Sequence, residues 1–261
     1  TFTGMEVEKT GKIGVAQRNA SMRLYSAEIQ TVIGVPAFDS DKPVATFATS
    51  YSQAFNTPWD GTTFYNQWDT ETPNCFSAAD ITSGYLQFFW TSKRIMRSKT
   101  AYNTPYVFSA VMDWSAGSNK GGLVVRAKTS GYIDSLQETT AGDPGFNREG
   151  IAFYPSTDGQ NMIVQFSAAD VPGNIAATQI NVPKPVGVTS LLNDQGTIRI
   201  EDFGTSLYVY YRGFRYIRID LGGLSGDVYT SGTVYDADMV SKGTFTGMEV
   251  EKTGKIGVAQ R

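Results

Sequence analysis

One stretch of eighteen residues, TFTGMEVEKTGKIGVAQR, occurs twice in this chain of 261 residues. The first copy is Thr1–Arg18 and the second copy is Thr244–Arg261, identical at every position and offset by 244 − 1 = 243 residues. Near-identical copies at a fixed offset are typical of repeat arrays. We therefore interpret the chain as a window from a longer polypeptide that repeats every 243 residues. The alternative is an engineered copy of the first strands, appended to the far end.

The length and composition of one repeat fit a single large all-β domain. Sandwiches of roughly 200–250 residues commonly form one unit, and a hydrophobic content of 41% with 27 glycines supports a full core with many turns. Charged residues make up 18% of the chain and the net charge is −3. A nucleic-acid partner is therefore not expected. The sequence contains no apolar run long enough for a membrane span.

The repeated segment itself is predicted to form strands. Ile13 and Val15 are apolar at alternate positions, as expected for a strand with one buried face. Gly4 interrupts the alternation between Phe2 and Met5, which indicates a β-bulge.

Alternation also predicts strands in the middle of the chain. The clearest is Tyr106–Trp114, in which every residue at an even position is apolar and is expected on one face. After a Gly-rich turn, Leu123, Val125 and Ala127 alternate with Val124, Arg126 and Lys128. No window of a dozen residues sustains a helical period, so no helix is expected.

Further runs predict antiparallel pairs. Gly150–Tyr154 and Met162–Phe166 flank a turn and predict a hairpin. Three later runs predict a meander: Ile198–Glu201, Leu207–Tyr211 and Phe214–Leu221. Arg212-Gly213 is expected to form the last two-residue turn of this meander. Val171–Val188 contains three prolines and is predicted to be irregular.

The best candidate for a linker is Pro36–Pro43, which holds two prolines, two aspartates and a serine. We accordingly expect three parts. Residues 1–36 would contain the closing strands of a sandwich module and the start of the linker, and residues 37–243 would form the main sandwich. Residues 244–261 would start the next repeat or be donated to a neighbour. Val44–Tyr51 is predicted to be the first strand of the main module.

Three segments carry a resemblance to a known superfamily. They are Tyr106–Trp114 followed by GGLVVRAK at Gly121–Lys128, SLYVYYRGFRYIRIDL at Ser206–Leu221, and GKIGVAQRNASMRLYSAEI at Gly11–Ile29. In this order they resemble the concanavalin A-like jelly-roll superfamily, especially its laminin-G-like members. The resemblance spans most of one repeat and implies a two-sheet antiparallel β-sandwich, a jelly roll, whose GKIGV-type segment is the last strand of the module.

The duplicated segment suggests how modules are joined. A sandwich that lacks its closing strands exposes unpaired backbone groups and an apolar groove. A strand from a neighbour would satisfy both, and a head-to-tail contact that does not close produces a filament. Copies of this chain are therefore the expected partners. A covalent array of complete modules would reach a similar end without strand exchange, and both possibilities stay open at this stage.

A possible carbohydrate site lies in a loop-like aromatic stretch. Trp59, Tyr65 and Trp68 fall within ten residues, together with Asp60 and Asn66. Exposed aromatic rings stack on sugar rings, and nearby carboxylates and amides bind hydroxyl groups. Glycans are therefore possible partners. The alternative is that these aromatic side chains cover the end of the core.

Catalysis is not expected. The chain has no histidine, which removes the commonest general base. Asp69 with Glu71, and Glu6 with Glu8, have the spacing of paired carboxylates on one strand face. Alternation and loop composition explain both pairs equally well, and the longer acidic strand motif of the glycosidase branch is not found. The single cysteine, Cys75, is expected to be buried and inert.

No cofactor is expected apart from a possible structural calcium ion, which is common in the superfamily that the chain resembles. Asp39 and Asp41, and Asp236 and Asp238, offer oxygen ligands two residues apart. Neither pair forms a defined loop motif, and solvated turn residues are the alternative. Asn19 begins an Asn-Ala-Ser sequon for glycosylation.

These observations predict a structural or adhesive repeat module from an extracellular or cell-surface protein that forms a tandem array or a filament. Its modules would be joined end to end through the duplicated segment. A lectin-like carbohydrate-binding module is the alternative, and a glycoside hydrolase is third.

Overall fold

The computed structural model describes residues 38–49, 61–70, 81–82, 85–86, 94–114, 121–127, 150–167 and 177–260. The chain divides into two units, Thr1–Pro36 and Ala37–Arg261, and every element below belongs to the second. The first copy of the repeated segment lies outside the described residues.

The described residues form fifteen strands, one α-helix (α1) and a 3₁₀ turn at Leu191–Asn193. Their bounds are α1 Gly61–Gln67, β1 Trp68–Thr70, β2 Ile81–Thr82, β3 Tyr85–Leu86, β4 Arg94–Ser98, β5 Tyr106–Asp113, β6 Gly121–Ala127, β7 Ile151–Pro155, β8 Asn161–Ser167, β9 Ala177–Pro183, β10 Gln195–Asp202, β11 Ser206–Tyr211, β12 Phe214–Ser225, β13 Val228–Asp236, β14 Ser241–Glu251 and β15 Lys255–Gln260.

Two antiparallel sheets contain most of these strands. The seven-stranded sheet has the order β1-β4-β15-β6-β7-β8-β9, and the six-stranded sheet has the order β14-β13-β12-β11-β10-β5. Strands β2 and β3 pair with each other in a small hairpin. The predicted all-β, two-sheet antiparallel sandwich is therefore confirmed.

The core lies between the two sheets and contains apolar side chains from both. Phe166 of β8 stacks on Phe245 of β14, with ring centroids 3.9 Å apart, so the two sheets are in direct contact. Leu123 and Val125 of β6 are fully buried in the same cluster as Ile217 of β12. Burial of such side chains removes apolar surface from water and is the main favourable contribution to folding.

Most of the strands predicted from alternation are confirmed. Strand β5 begins at Tyr106 as expected, and all five even-numbered apolar residues of this segment belong to the core or pack against it. The predicted hairpin corresponds to β7 and β8. In the predicted meander, Arg212 and Gly213 both have positive φ, of 52° and 83°, as a two-residue hairpin turn requires.

Three sequence-based expectations are wrong. Residues 61–67 form helix α1, which is shorter than the dozen residues over which a helical period can be recognised. Residues 44–49 form no strand, and the side chain of Val44 is fully exposed. Ala177–Pro183, within the stretch expected to be irregular, forms the edge strand β9. Proline is tolerated at the end of such a strand because the free edge needs no ladder bond there.

The second copy of the repeated segment forms strands of the sandwich. Residues 244–260 form most of β14 and all of β15, so they belong to the same sandwich as the strands before residue 243. They are held there by backbone pairing on β13, β4 and β6.

In the parts of the chain that the structure describes, no helix has the length and apolar character needed to cross a membrane.

Candidate functional site

The second copy supplies the closing strands of the sandwich, a name used here for β14 and β15. Strand β14 pairs with β13 at the edge of the six-stranded sheet. Strand β15 lies inside the seven-stranded sheet, where it pairs with β4 on one side and β6 on the other. Without β15, the seven-stranded sheet would be divided into two parts. The repeated segment is thus an integral part of this fold.

Apolar residues of the closing strands enter the core. Phe245 and Val250 of β14 are buried, and Ile256 of β15 is 8% exposed. All three belong to the main core cluster. Backbone bonds add to this packing: the Tyr102 N–H donates to the Gly254 carbonyl oxygen at 2.9 Å, and the Ile256 N–H donates to Ser98 Oγ at 3.2 Å.

Two glycines let β15 approach its neighbours. A Cβ atom added to Gly254 would lie 2.6 Å from the Cα atom of Arg126, and one added to Gly257 would overlap the backbone of Met96. Backbone atoms cannot move aside as a flexible side chain can, so both positions require glycine. Gly247 has a φ of 71° and lies where the β13–β14 register shifts. It corresponds to Gly4, so the bulge predicted for the repeated segment is found in the second copy.

A buried ion pair joins the two sheets beside the closing strands. Arg126 of β6 and Asp202 of β10 both have fully buried side chains. Arg126 Nε and Nη2 donate to the two carboxylate oxygens of Asp202, at 2.7 and 2.6 Å. Arg126 also donates to the carbonyl oxygens of Gly204, at 2.5 Å, and Glu251, at 3.2 Å. Glu251 ends β14, so one guanidinium connects both sheets to a closing strand.

The backbone of β6 explains how Arg126 reaches the interior. Arg126 has a φ of 55°, and the β6–β15 register shifts at this point. The strand alternation is therefore broken after Val125. Ala127, expected on the same face as Leu123 and Val125, instead belongs to a separate apolar cluster with Val124. That expectation is wrong, because a β-bulge redirects the side chains that follow it.

The electrostatics of the buried pair follow from its contacts. Burial lowers the pKa of Arg126, but the hydrogen bonds that Arg126 donates to Asp202 outweigh burial and the pKa is raised. The guanidinium is also 5.4 Å from the centre of the Tyr229 ring. Tyr106, which is opposite Asp202 in the sheet, has a pKa well above its usual value because of burial and then the Asp202 charge. All of these interactions favour a charged pair inside a neutral surround.

A second charged cluster lies on the outer face of the six-stranded sheet. Tyr208 and Tyr210 alternate with core residues along β11, so their rings lie on the side away from the core. The fully buried Phe38 packs edge-on against both rings, with centroids 5.7 and 6.1 Å away. Residues 38–42, just after the boundary between the two units, are therefore anchored on this face.

Asp41 and Arg218 form the strongest polar contact of this anchor. Arg218 of β12 donates from Nη1 and Nη2 to the two Asp41 oxygens, at 2.5 and 2.7 Å, and from Nη1 to the Phe38 carbonyl oxygen at 3.1 Å. The Arg218 hydrogen bond lowers the pKa of Asp41, and the same bond raises the pKa of Arg218. Asp220 accepts a further bond from Arg218 Nε at 2.8 Å.

Lys42 completes the anchor. Its Nζ donates to the Tyr210 hydroxyl at 2.7 Å and lies 3.2 Å from Glu201. The Tyr210 hydroxyl donates to Asp39 at 3.0 Å, and Arg215 donates to the other Asp39 oxygen. Burial raises the pKa of Tyr210 to about 12. The charges of residues 39–42 are thus paired with those of the sheet.

A concave pocket of about 300 Å³ lies beside the anchor. Lys42, Arg199 and Glu201 contribute charges to its wall, and Phe47 and Phe203 contribute aromatic rings. Glu201 bonds to both cations, at 3.2 Å to Lys42 Nζ and 2.7 Å to Arg199 Nε. Asp39 also lines the pocket, so two cations and two carboxylates meet in its wall and the pocket does not offer an ionic ligand a single sign of charge.

The residues proposed for carbohydrate binding differ in how exposed their side chains are. Trp68 is only 6% exposed and packs with Phe64 and Met96, so its ring is not open for stacking. Tyr65 is half-buried on α1 and Asn66 is exposed. Trp59 and Asp60 lie outside the described residues.

The residues proposed for calcium binding have other partners. Asp39 and Asp41 bond to the arginines of the outer-face anchor. Asp236 accepts from two backbone N–H groups of its own turn, those of residues 238 and 240, and pairs with Lys242 at 2.6 Å. Burial raises the pKa of Asp236, but Lys242 and the backbone donors outweigh burial and the pKa is lowered. Among the described residues no group of three or more carboxylate, Cys or His side chains is placed to hold a metal ion.

The remaining candidates are mostly not described. Asp69 lies in β1, whereas Glu71, Glu6 and Glu8 lie outside the described residues. The same is true of Cys75 and of the sequon residue Asn19.

The residues that organise the two charged sites were not singled out from the sequence. Arg126 stood in an alternating run at a position expected to be polar and exposed. Arg218 lay within a strand of the predicted meander, where a charged residue is usually explained by a solvated face. The sequence offers two weak signals. Asp202 directly follows the predicted strand Ile198–Glu201, and the linker carries two aspartates. Neither signal specifies a partner.

A comparison with protein-family models finds no family that matches this chain, and a search of curated proteins finds no matching protein.

Proposed function

We propose that this chain is part of a structural protein built from tandem β-sandwich modules, and that the repeated segment is the end of each module. The observation that supports the proposal is the place of the second copy. It completes the sandwich that begins after residue 37, and an identical segment precedes that sandwich in the same chain. Two identical closing segments separated by one sandwich are what two consecutive modules would contribute.

The outer-face anchor fits the same proposal. Residues 38–42 follow the boundary between the two units and are attached to the sheet by Phe38, Asp41 and Lys42. An array that transmits force needs each module to hold the chain that leads into it. A segment fastened by a buried ring and a two-bond ion pair meets this need better than a solvated linker would.

A structural role is favoured over the alternatives by what the candidate residues contact. A carbohydrate site built on the aromatic stretch would need an open ring at Trp68, which is buried. The carboxylate pairs considered for a hydrolase include Glu71, Glu6 and Glu8, which lie outside the described residues. In the described outer-face cluster, Asp39, Asp41 and Glu201 are each engaged by arginine or lysine. An extracellular or cell-surface location and membership of the concanavalin A-like superfamily stay predictions.

Electron microscopy of the native material tests this proposal. We expect filaments or rods with an axial repeat of one module. Mass spectrometry of the same material after limited proteolysis should give a peptide that begins before Thr244, within Val240–Gly243, and continues through the second copy into NASMRLY. Isolated single particles, or a sequence other than NASMRLY after the copy at Thr244–Arg261, would contradict the tandem array.

A further inference from the structure

The site that the closing strands occupy accepts only certain residue types at several positions of the repeated segment. Three side chains fill core positions, namely Phe245, Val250 and Ile256. Gly254 and Gly257 are required because an added Cβ atom would meet the backbone of β6 or β4. The site therefore constrains five residues of any segment that binds there. The other residues of the segment are held by backbone pairing with β13, β4 and β6.

The first copy meets all five requirements. Because the two copies are identical, Phe2, Val7, Gly11, Ile13 and Gly14 stand at the corresponding places. A first copy seated in this position would make every contact that the second copy makes. The two arrangements differ in chain connectivity and in the pairing of Ser241 and Gly243, which precede the repeated segment in β14.

We propose that the position of the closing strands is a binding site for the first copy of another molecule of this chain. The partner is thus an extended eighteen-residue segment, TFTGMEVEKTGKIGVAQR, that adds to two sheets at once. This inference shares the repeated segment with the proposed function but concerns exchange between chains and not a covalent array. Exchange of an identical element is a low-cost route to assembly because no new interface has to be formed.

Connectivity determines when exchange occurs. The second copy of a chain is tethered to its own site, and such a tether corresponds to an effective concentration on the order of millimolar. Dilute chains are therefore expected to close on themselves, which is the arrangement of this structure. The first copy of another chain binds when the tethered copy is prevented from entering the site.

The test uses full-length variants that exclude each copy separately. In the acceptor, Gly14→Val and Gly257→Val together prevent both of its own copies from entering the site. The donor is the wild-type chain, whose first copy is intact. The matched control donor carries Gly14→Val alone, so the two donors differ at one residue. Acceptor and donor are refolded together and analysed by size-exclusion chromatography with light scattering, with a tag on the acceptor.

With the wild-type donor we expect a one-to-one complex of twice the 28.4 kDa mass of one chain. With the Gly14→Val donor we expect that complex to be lost. Absence of the complex with both donors would overturn the proposal. Its presence with both would also overturn it, because the association would then not depend on the first copy.

A second measurement tests the proposal if the acceptor variant does not fold on its own. The synthetic peptide TFTGMEVEKTGKIGVAQR is added to the acceptor during refolding, and a peptide with valine in place of the glycine at position 14 is the control. We expect the first peptide to restore a cooperative thermal transition and the control peptide to fail. Equal restoration by both peptides, or restoration by neither, would overturn the proposal. These results concern single purified chains, so they are independent of whether the native material is a tandem array.

Discussion

The two arginine–aspartate pairs of this sandwich have the same chemistry and opposite surroundings. Arg126 and Asp202 are fully buried between the sheets, whereas Arg218 is 6% exposed and its partner Asp41 is 61% exposed. Both pairs have two parallel hydrogen bonds. The difference shows that bond geometry alone does not determine what a pair contributes. A buried charge depends on its partner, and an exposed one can return to water.

What each pair connects differs as well. Arg126 bonds to residues of β10 and β14, so it lies where the two sheets and a closing strand meet. Arg218 bonds to residues 38 and 41, which attach the incoming chain to an outer face. We therefore expect damage to the first pair to affect the whole fold, and damage to the second to release one segment.

The largest expected effect comes from Arg126→Met. The substitution leaves the Asp202 carboxylate buried without its cation, and such a loss costs about 3–5 kcal/mol of unfolding free energy. Chemical denaturation followed by tryptophan fluorescence measures it. Arg218→Met is the matched control and should cost less than about 1 kcal/mol. The double variant Arg126→Met, Asp202→Leu should be more stable than the single one. Equal losses at both arginines would remove the distinction between the two sites.

Gly254→Ala tests the buried Arg126–Asp202 pair indirectly, because it displaces the backbone of Arg126. The added Cβ would lie 2.6 Å from the Arg126 Cα atom, and overpacking of this kind costs up to about 3 kcal/mol. Gly11→Ala makes the identical change in the first copy and is the control. We expect thermal unfolding of the sandwich to shift for Gly254→Ala and to stay unchanged for Gly11→Ala. A shift of equal size in both would show that the copies contribute alike.

Phe38→Ala tests the outer-face anchor without changing a charge. Removing the buried ring forfeits roughly 2 kcal/mol of apolar burial, and the loss should be local. Hydrogen exchange should speed up in residues 38–49 and stay slow in β6 and β15. Faster exchange throughout both sheets would mean that the anchor is part of the global folding unit.

The smallest effect is the acid dependence of Asp41. Its folded-state pKa lies below the usual value, so the carboxylate stabilises the anchor above the unfolded pKa, and this contribution is lost as the pH falls through the folded pKa. Because Asp41 is largely exposed, the contribution should be below about 1 kcal/mol. Exchange rates of residues 38–42, expressed relative to the intrinsic rate of an unprotected amide at the same pH, should rise as the pH falls from about 5 to about 2. In Asp41→Asn they should already be high at pH 5, and an unchanged acid response in that variant would contradict the assignment.

Alternation in the sequence was sufficient to predict the sandwich and several of its strands. Strand β5, the hairpin of β7 and β8, and the meander all have one face in the core, and a half-buried strand leaves a period of two in its sequence. The method fails where the backbone departs from that period. At Arg126 a positive φ moves a polar residue inside and sends Ala127 to another cluster.

The candidate sites were harder to predict because contacts between distant residues decide them. Asp41 lies 177 positions from Arg218 in the sequence, and nothing in either neighbourhood identifies the other. Tryptophan is a residue type that occurs both in sugar-stacking sites and in cores. Trp68 is buried like a core residue, and its residue type alone does not distinguish the two roles. The repeated segment could be recognised at once, but two identical strands carry no information about which sandwich each one closes.

Strand β15 comes last among the strands in sequence, yet it lies between β4 and β6 in the interior of its sheet. During synthesis on the ribosome, the nascent chain must therefore hold an incomplete sheet open until the final strand emerges. Pairings between strands so far apart in sequence form slowly, and an open sheet invites the wrong partner in the meantime. In a polypeptide with several such modules, the open sheet of one module would be available to the closing strand of a neighbour until its own strand arrives.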